Sequence, residues 1–321
     1  MAHFTSTTID ALVSAKQPFL TDGGLETTLV FLEGVDLPAF ASFPLLNDEK
    51  GRAMLKGYFE RYLRLAQENA TGFVLDTPTW RASQGWAEDT GHTPEQIDRI
   101  NAKAVQFARD IATEWEARGV PVVVNGVVGP AGDGYVPDHA MSAKEAQEYH
   151  ARQVVNFATA GADMVSAVTM NYVEEAIGIA RAARAAGVPV VISFTVETDG
   201  RLPTGQSVAE AIAEVDSATD SAPIYYMINC AHPDHFSAIL DGADWTRRLG
   251  GLRANASRMS HEELDNAEEL DDGDPQEFGQ LHAALMQGLT GIKVLGGCCG
   301  TDHRHVQAVG DCCVKGRAHA A

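Results

Sequence analysis

Three cysteines are the residues of this sequence best suited to chemistry. Cys298 and Cys299 are adjacent within Gly296-Gly297-Cys298-Cys299-Gly300, at the end of an apolar run, and Cys230 follows Ile228-Asn229. Successive strand side chains point to opposite faces, so neighbouring cysteines reach one ion only where the strand breaks into a turn, which flanking glycines permit. Zinc is the usual partner of thiolates, and three protein ligands leave one position open, as in catalytic sites. The pattern predicts a Zn²⁺ site at Cys230, Cys298 and Cys299.

The other candidate ligands have simpler interpretations. Free cysteines are commonly buried apolar residues. We interpret Cys312 and Cys313 in this way, because neighbours in a helix point about 100° apart and do not readily share an ion. His232 and His235 are possible zinc ligands, but three thiolates already complete the protein share of an open site.

The elements that must position these residues follow a regular alternation. Short β-rich runs alternate with helical patterns, which is typical of parallel α/β folds. Predicted strands span 18–22, 72–77, 120–128, 162–168, 190–195, 224–230, 250–255 and 291–297. Predicted helices span 48–69, 94–117, 143–160, 173–186, 207–215, 233–240 and 275–289, with a last one after Asp302, and the acidic stretch 261–274 reads as a loop. Eight units without a break in composition predict one (β/α)8 TIM barrel domain over 1–321.

A barrel of this kind places its active site at the carboxyl ends of its strands. Polar residues stand at the ends of the first, second and sixth predicted strands, and near Asn125 in the third. The glycines after the first strand form either a plain turn or a nest whose free N–H groups hold a substrate carboxylate. The predicted substrate-binding residues are Asp22, Gly23, Gly24, Glu26, Asp76, Thr77 and Asn229.

Composition excludes several classes of partner. The chain has 321 residues and a formal net charge of −20, whereas nucleic acids and anionic membranes require a basic face. No secretory signal and no apolar run of membrane-spanning length are readable. Five cysteines clustered late in a long chain do not form a secreted disulfide framework. We therefore expect a cytoplasmic protein with no membrane or nucleic-acid partner; a homo-oligomer remains open.

Four motifs together resemble the homocysteine S-methyltransferase family over nearly the whole chain. They are Asp22-Gly23-Gly24-Leu25-Glu26-Thr27-Thr28-Leu29, Asn125-Gly126-Val127-Val128-Gly129-Pro130, Asn229-Cys230 and Gly296-Gly297-Cys298-Cys299. The resemblance implies a (β/α)8 barrel, Zn²⁺ on the three cysteines and a substrate thiol in the fourth position. It also implies methyl transfer to homocysteine, giving methionine, from a small sulfonium or ammonium donor of the S-methylmethionine, S-adenosylmethionine or betaine type.

Two positions depart from the family pattern. Where the family commonly has Glu-Thr after the fourth strand, with the glutamate holding the amino group of the substrate, this chain has Val168-Thr169. An amino acid thiol then needs another charge partner, such as Asp22, Glu26 or Asp76. The second departure is Arg253-Ala254-Asn255 in place of Tyr-Pro-Asn.

An acidic mouth with Trp80 or Trp86 nearby favours a cationic donor through cation–π contacts.

Two further functions are compatible with a three-thiolate site. A zinc hydrolase on the same barrel would activate water, although hydrolytic sites favour His and carboxylate ligands. A non-catalytic zinc- or thiol-binding subunit would need a partner chain to supply the methyl group. Both differ from an enzyme whose only partners are a small thiol acceptor and a methyl donor.

Overall fold

The computed structural model describes residues 7–137 and 140–315. Within them eight parallel strands close into a barrel in chain order, each paired with its sequence neighbours and β8 with β1. The strands are β1 Phe19–Leu20, β2 Phe73–Asp76, β3 Val122–Val128, β4 Met164–Met170, β5 Val190–Phe194, β6 Pro223–Asn229, β7 Leu249–Ala254 and β8 Val294–Gly297. The (β/α)8 prediction and all eight predicted strands are confirmed.

β7 forms despite two glycines that disfavour a sheet in isolation. A Cβ on Gly250 would lie 2.5 Å from the Tyr225 ring, and one on Gly251 would lie 2.7 Å from Met227. The glycines therefore make room for large side chains of β6, and close packing outweighs their weak strand propensity.

Helices connect successive strands, and several begin at capping boxes. Thr93 with Gln96, Ser142 with Glu145 and Ser207 with Glu210 satisfy the free N–H groups of a first turn reciprocally. The α-helices are Thr7–Ser14, Leu25–Thr27, Glu49–Glu68, Pro94–Glu116, Ala143–Ala160, Val173–Ala186, Val208–Thr219, Pro233–Phe236, His261–Asp265, Pro275–Leu285 and His303–Val309.

Two hydrophobic clusters hold the barrel together. The larger lies between the strands and the surrounding helices. The smaller fills the barrel interior and includes Val74, Val127, Val168 and Met227, with Ile9 and Leu12 of the helix Thr7–Ser14 packed into it. The sequence patterns did not predict this first helix, which covers the interior of the barrel.

The acidic stretch 261–274 is not entirely a loop, so that prediction was wrong for its first residues. A helix spans His261–Asp265, and Ser260 as its N-cap forms a capping box with Glu263 in its first turn. The final helix continues as a π-helix over Gly310–Lys315, and the remainder of its predicted extent, 316–321, lies outside the described residues. Among the described helices none is long and apolar enough to cross a membrane.

Candidate metal centre and substrate pocket

The three predicted zinc ligands converge at the carboxyl ends of β6 and β8. Cys230 directly follows β6, and Cys298 and Cys299 directly follow β8. The three sulfur atoms all lie within 4.8 Å of one another. Cys299 Sγ is 4.0 Å from Cys230 Sγ, and the sulfurs of Cys230 and Cys298 lie in disulfide contact. These three thiols in their reduced form fit a zinc ion that keeps one open position.

Backbone geometry, as well as sequence, brings the adjacent cysteines to one point. Cys230 has a left-handed backbone conformation, with φ 54°. This conformation is strained for a residue that carries a Cβ, and residues with such strain are found most often at functional sites. After Cys299 the chain turns at Gly300, φ 78°. Thr301 N–H donates to the Cys298 carbonyl at 3.1 Å, closing this turn. The turn lets two successive side chains face the same site.

Asn229 and Thr169 connect the cysteines to neighbouring strands. The side-chain amide oxygen of Asn229, Oδ1, accepts from Thr169 N–H at 2.9 Å and from the Ser193 hydroxyl at 2.5 Å. Asn229 Nδ2 lies 2.9 Å from Thr169 Oγ1 and 3.9 Å from Cys298 Sγ. Thr169 Oγ1 in turn lies 3.9 Å from Cys230 Sγ. Both residues therefore offer weak N–H or O–H donors to the sulfurs, which stabilise thiolates.

A stacked pair of rings borders the cysteines on the outer side. The rings of Tyr135 and His261 lie 3.8 Å apart between centroids and nearly parallel. His261 Nε2 is 2.7 Å from the Cys230 carbonyl oxygen, and its Nδ1 is 3.0 Å from Glu197. The Tyr135 hydroxyl is 3.9 Å from Cys299 Sγ. The pair thus contacts two of the three candidate ligands, and the sequence patterns predicted neither ring.

A buried ionic network lies beside the cysteines, formed by Asp22, Arg253 and Asp76. Arg253 Nη2 donates to Asp22 Oδ1 at 2.5 Å, and its Nη1 donates to Asp76 Oδ2. Its Nε donates to the Gly297 carbonyl oxygen at 3.3 Å. The strand-seven position that departs from the family pattern therefore holds two of the predicted substrate-binding carboxylates.

Burial dominates the electrostatics of this region. It raises the pKa of Asp22 to about 7, against the opposing effect of Arg253. Burial also raises the pKa of Glu26, opposed first by the hydrogen bond from Ser42, and raises that of the Cys299 thiol to about 11. Charges therefore persist in this region only where a partner or ligand compensates for lost hydration.

A pocket of about 410 Å³ opens above the cysteines, within the usual size of small-molecule sites. All seven predicted substrate-binding residues line it, together with the three cysteines. Its carboxylates outnumber its guanidinium groups. The acidic residues are Asp22, Glu26, Asp76, Asp133, Asp265, Glu269 and Asp271, and the basic ones are Arg81 and Arg253. Part of the stretch 261–274 therefore forms a wall of the pocket.

The two glycines after β1 serve close packing. A Cβ on Gly23 would lie 2.7 Å from the Thr301 carbonyl oxygen, and one on Gly24 would lie 2.7 Å from that of Cys298. Gly24 N–H donates to Thr301 at 3.0 Å. The glycines thus let the β1 loop contact the cysteine turn, and the N–H group of Gly24 is already bonded.

The tryptophans predicted to favour a cationic donor already hold a cation of the chain. The guanidinium carbon of Arg81 lies 4.1 Å from the Trp80 ring centroid and 3.9 Å from that of Trp86. Phe31, Phe40 and Tyr135 are the other aromatic residues on the pocket wall. Because Tyr135 is stacked on His261, Phe31 and Phe40 are the rings of this set that remain available to a ligand.

The remaining candidates lie away from the cysteines. His232 Nδ1 accepts from Asp234 N–H at 3.1 Å, as the N-cap of a short helix, and His235 Nε2 lies 3.0 Å from the Arg258 carbonyl oxygen. Cys313 is buried and Cys312 is half-buried. In the described part of the chain, the three predicted cysteines are the one His, Cys, Asp or Glu group with a geometry for a metal.

Known proteins place this arrangement in one family. The sequence profile of homocysteine S-methyltransferase matches residues 19–313. Crystal structures of the homocysteine methyltransferase MmuM from Escherichia coli have the same fold. Its oxidized form has a TM-score of 0.75 at 21% identity, covering 97% of this chain and 100% of that one. Its metallated form has a TM-score of 0.72 at 20% identity, covering 95% and 99%. The chain therefore belongs to the homocysteine S-methyltransferase family and is a methyltransferase.

Proposed function

We propose that this methyltransferase uses Zn²⁺ on Cys230, Cys298 and Cys299 to transfer a methyl group to the thiol of homocysteine, giving methionine. The observation that carries the proposal is the convergence of three cysteine sulfurs within 4.8 Å at the base of a substrate-sized pocket. The donor in this proposal is a small sulfonium or ammonium compound, in keeping with the excess of carboxylates around the pocket.

The chemistry requires a thiolate at neutral pH. A free thiol with a pKa of about 8.5 is only roughly 3% ionised at pH 7. Zn²⁺ held by Cys230, Cys298 and Cys299 would act as a Lewis acid that lowers the pKa of the acceptor thiol, so that no general base would be needed. The acceptor loses its proton to solvent and its sulfur forms a bond to the methyl carbon. The electron pair of the breaking bond leaves with the donor, which loses its positive charge.

Residues of this chain orient that reaction. Asn229 and Thr169 direct donor groups at the sulfurs of Cys298 and Cys230. The predicted substrate-binding set, Asp22, Gly23, Gly24, Glu26, Asp76, Thr77 and Asn229, lines the same pocket as the cysteines, which supports a role in binding the acceptor. Tyr135 contacts Cys299 Sγ and His261 contacts the Cys230 carbonyl oxygen, which helps to fix the positions of these two cysteines.

The test compares two cysteine variants. Reduced protein is loaded with zinc, its metal content is measured, and homocysteine is supplied with S-methylmethionine, S-adenosylmethionine or betaine while methionine is followed by mass. We expect about one zinc per chain, and loss of both zinc and methyl transfer in Cys298→Ser. Cys312→Ser, a half-buried cysteine outside the site, is the matched control and should retain both. Unchanged methyl transfer by Cys298→Ser would refute the proposal, and turnover without any thiol would indicate a hydrolase.

A further inference from the structure

The pocket contains many carboxylates, but most are already bonded. Asp22 accepts from Arg253 through Oδ1 and from the Tyr58 hydroxyl through Oδ2 at 3.2 Å. Asp76 accepts from Asn125 at 2.7 Å through Oδ1 and from Arg253 through Oδ2. Every carboxylate oxygen of the two residues thus has a partner within the protein.

Other acids of the pocket serve their own loops or lie at its rim. Asp133 accepts from the N–H groups of Tyr135 and Val136, at 2.7 and 3.0 Å. Asp271 accepts from the Ser257 hydroxyl at 2.6 Å and from Gly273 N–H. Asp265 and Glu269 are exposed, so their charges are largely screened by water.

Glu26 differs from all of these acids. It is half-buried, and it lines the same pocket as Cys230, Cys298 and Cys299. The Ser42 hydroxyl donates to its Oε1 at 2.6 Å and fixes the carboxylate. Arg253 and Arg81 act on it only through weak Coulombic effects, and Glu26 forms no ion pair with a described residue.

We infer that Glu26 binds the ammonium group of the thiol acceptor and thereby selects an α-amino thiol over a thiol that lacks the amino group. The inference rests on the proposed function, because the acceptor sulfur must lie at the cysteines for its ammonium group to reach Glu26. Val168, which lines the same pocket, offers no carboxylate.

Charge changes during the reaction favour the acceptor over the donor as the ligand of Glu26. The donor loses its positive charge on the way to the transition state, so a carboxylate beside it stabilises the ground state more and slows the reaction. The ammonium group of the acceptor keeps its charge throughout. A carboxylate bound to it improves binding and orientation without opposing the chemical step.

The test uses homocysteine and 4-mercaptobutanoate, which is homocysteine without its amino group. In Glu26→Gln we expect kcat/KM for homocysteine to fall about 10- to 100-fold, mainly through KM, as for the loss of a hydrogen bond to a charged group. The kcat/KM for 4-mercaptobutanoate and the KM of the donor should stay within about twofold. Zinc content and circular dichroism establish that the variant is folded and loaded.

Two further variants strengthen the comparison. The thiol preference is the ratio of kcat/KM for homocysteine to kcat/KM for 4-mercaptobutanoate. Glu268→Gln makes the same charge change on an exposed residue that does not line the pocket, and should leave this ratio unchanged. Ser42→Ala removes the hydroxyl that fixes Glu26, and should lower the ratio by less than Glu26→Gln does. Ser42→Ala also decides the question if Glu26→Gln does not fold.

The outcomes separate this inference from the proposed function. If folded Glu26→Gln has the same ratio of kcat/KM values as the wild type, the inference is overturned. A rise in the KM of the methyl donor without a change in this ratio overturns it as well. If the wild-type protein methylates neither thiol, the proposed function fails. In that case the affinities of both thiols are measured by calorimetry, for the zinc-loaded wild type and for zinc-loaded Glu26→Gln. If the wild type binds homocysteine more tightly than 4-mercaptobutanoate and Glu26→Gln does not, the role of Glu26 is supported; if the two proteins show the same preference, it is overturned.

Discussion

Replacing Arg253 with Met should destabilise the protein far more than replacing another arginine with the same number of ion pairs. Arg253 pairs with Asp22 and Asp76, and its side chain is 11% exposed. Arg258 pairs with Asp234 and Glu277, and its side chain is 51% exposed. The two residues therefore differ chiefly in burial, which makes Arg258→Met a matched control.

The expected magnitudes follow from that difference. Removing one partner of a buried ion pair leaves uncompensated charge and typically costs about 3–5 kcal/mol. Arg253→Met leaves Asp76 in this state, whereas Asp22, whose pKa is already raised to about 7, takes up a proton, so we expect a loss within that range. Exposed pairs contribute about 0–1 kcal/mol. Arg258→Met should therefore lower the free energy of unfolding by no more than about 1 kcal/mol.

Urea unfolding of the reduced, zinc-free proteins measures both effects. The denaturation midpoint should fall strongly for Arg253→Met and little for Arg258→Met, with similar slopes. Adding Asp22→Asn and Asp76→Asn to Arg253→Met removes the uncompensated charges and should recover a large part of the loss. Equal losses for the two arginine variants, or no recovery in the triple variant, would show that the network is not the buried charge cluster described above.

The remaining predictions concern pH and zinc affinity. Because the pKa of Asp22 is raised to about 7 in the folded protein, the native state holds a proton that the unfolded state releases between about pH 4 and 7. The free energy of unfolding should therefore fall as pH rises through this window, by at most about 1.4 kcal/mol per pH unit. The urea midpoint of the wild type should show this fall, and the urea midpoint of Asp22→Asn should not. His261→Ala, which removes the contact with the Cys230 carbonyl, should weaken zinc binding about tenfold or more in chelator competition. His235→Ala should bind zinc as the wild type does, and equal affinities for all three proteins would contradict a role for His261.

The barrel and the convergence of the three cysteines were predictable because local patterns carry them. Alternating apolar runs and capping residues define the strands and helices, and two adjacent cysteines between glycines have few explanations other than a shared ion. The helix His261–Asp265 was missed because its acidic composition resembles a solvated loop, although Ser260 and Glu263 carry a capping-box signal. His261 itself carries no signal of its contact with Cys230, since that contact spans 31 residues.

The charge pattern of the pocket could not be predicted from the number of its acids. Asp22, Glu26 and Asp76 were equivalent in the sequence as possible partners for an amino group. Closure of the barrel brings Arg253 to Asp22 and Asp76 across 231 and 177 residues, and only Glu26 is left without a cation among the described residues. The two departures from the family pattern are therefore related. Val168 takes the place of a carboxylate at the end of β4 and Arg253 occupies two others, so in our inference recognition of the amino group falls to Glu26, a half-buried acid of the pocket that the network does not include.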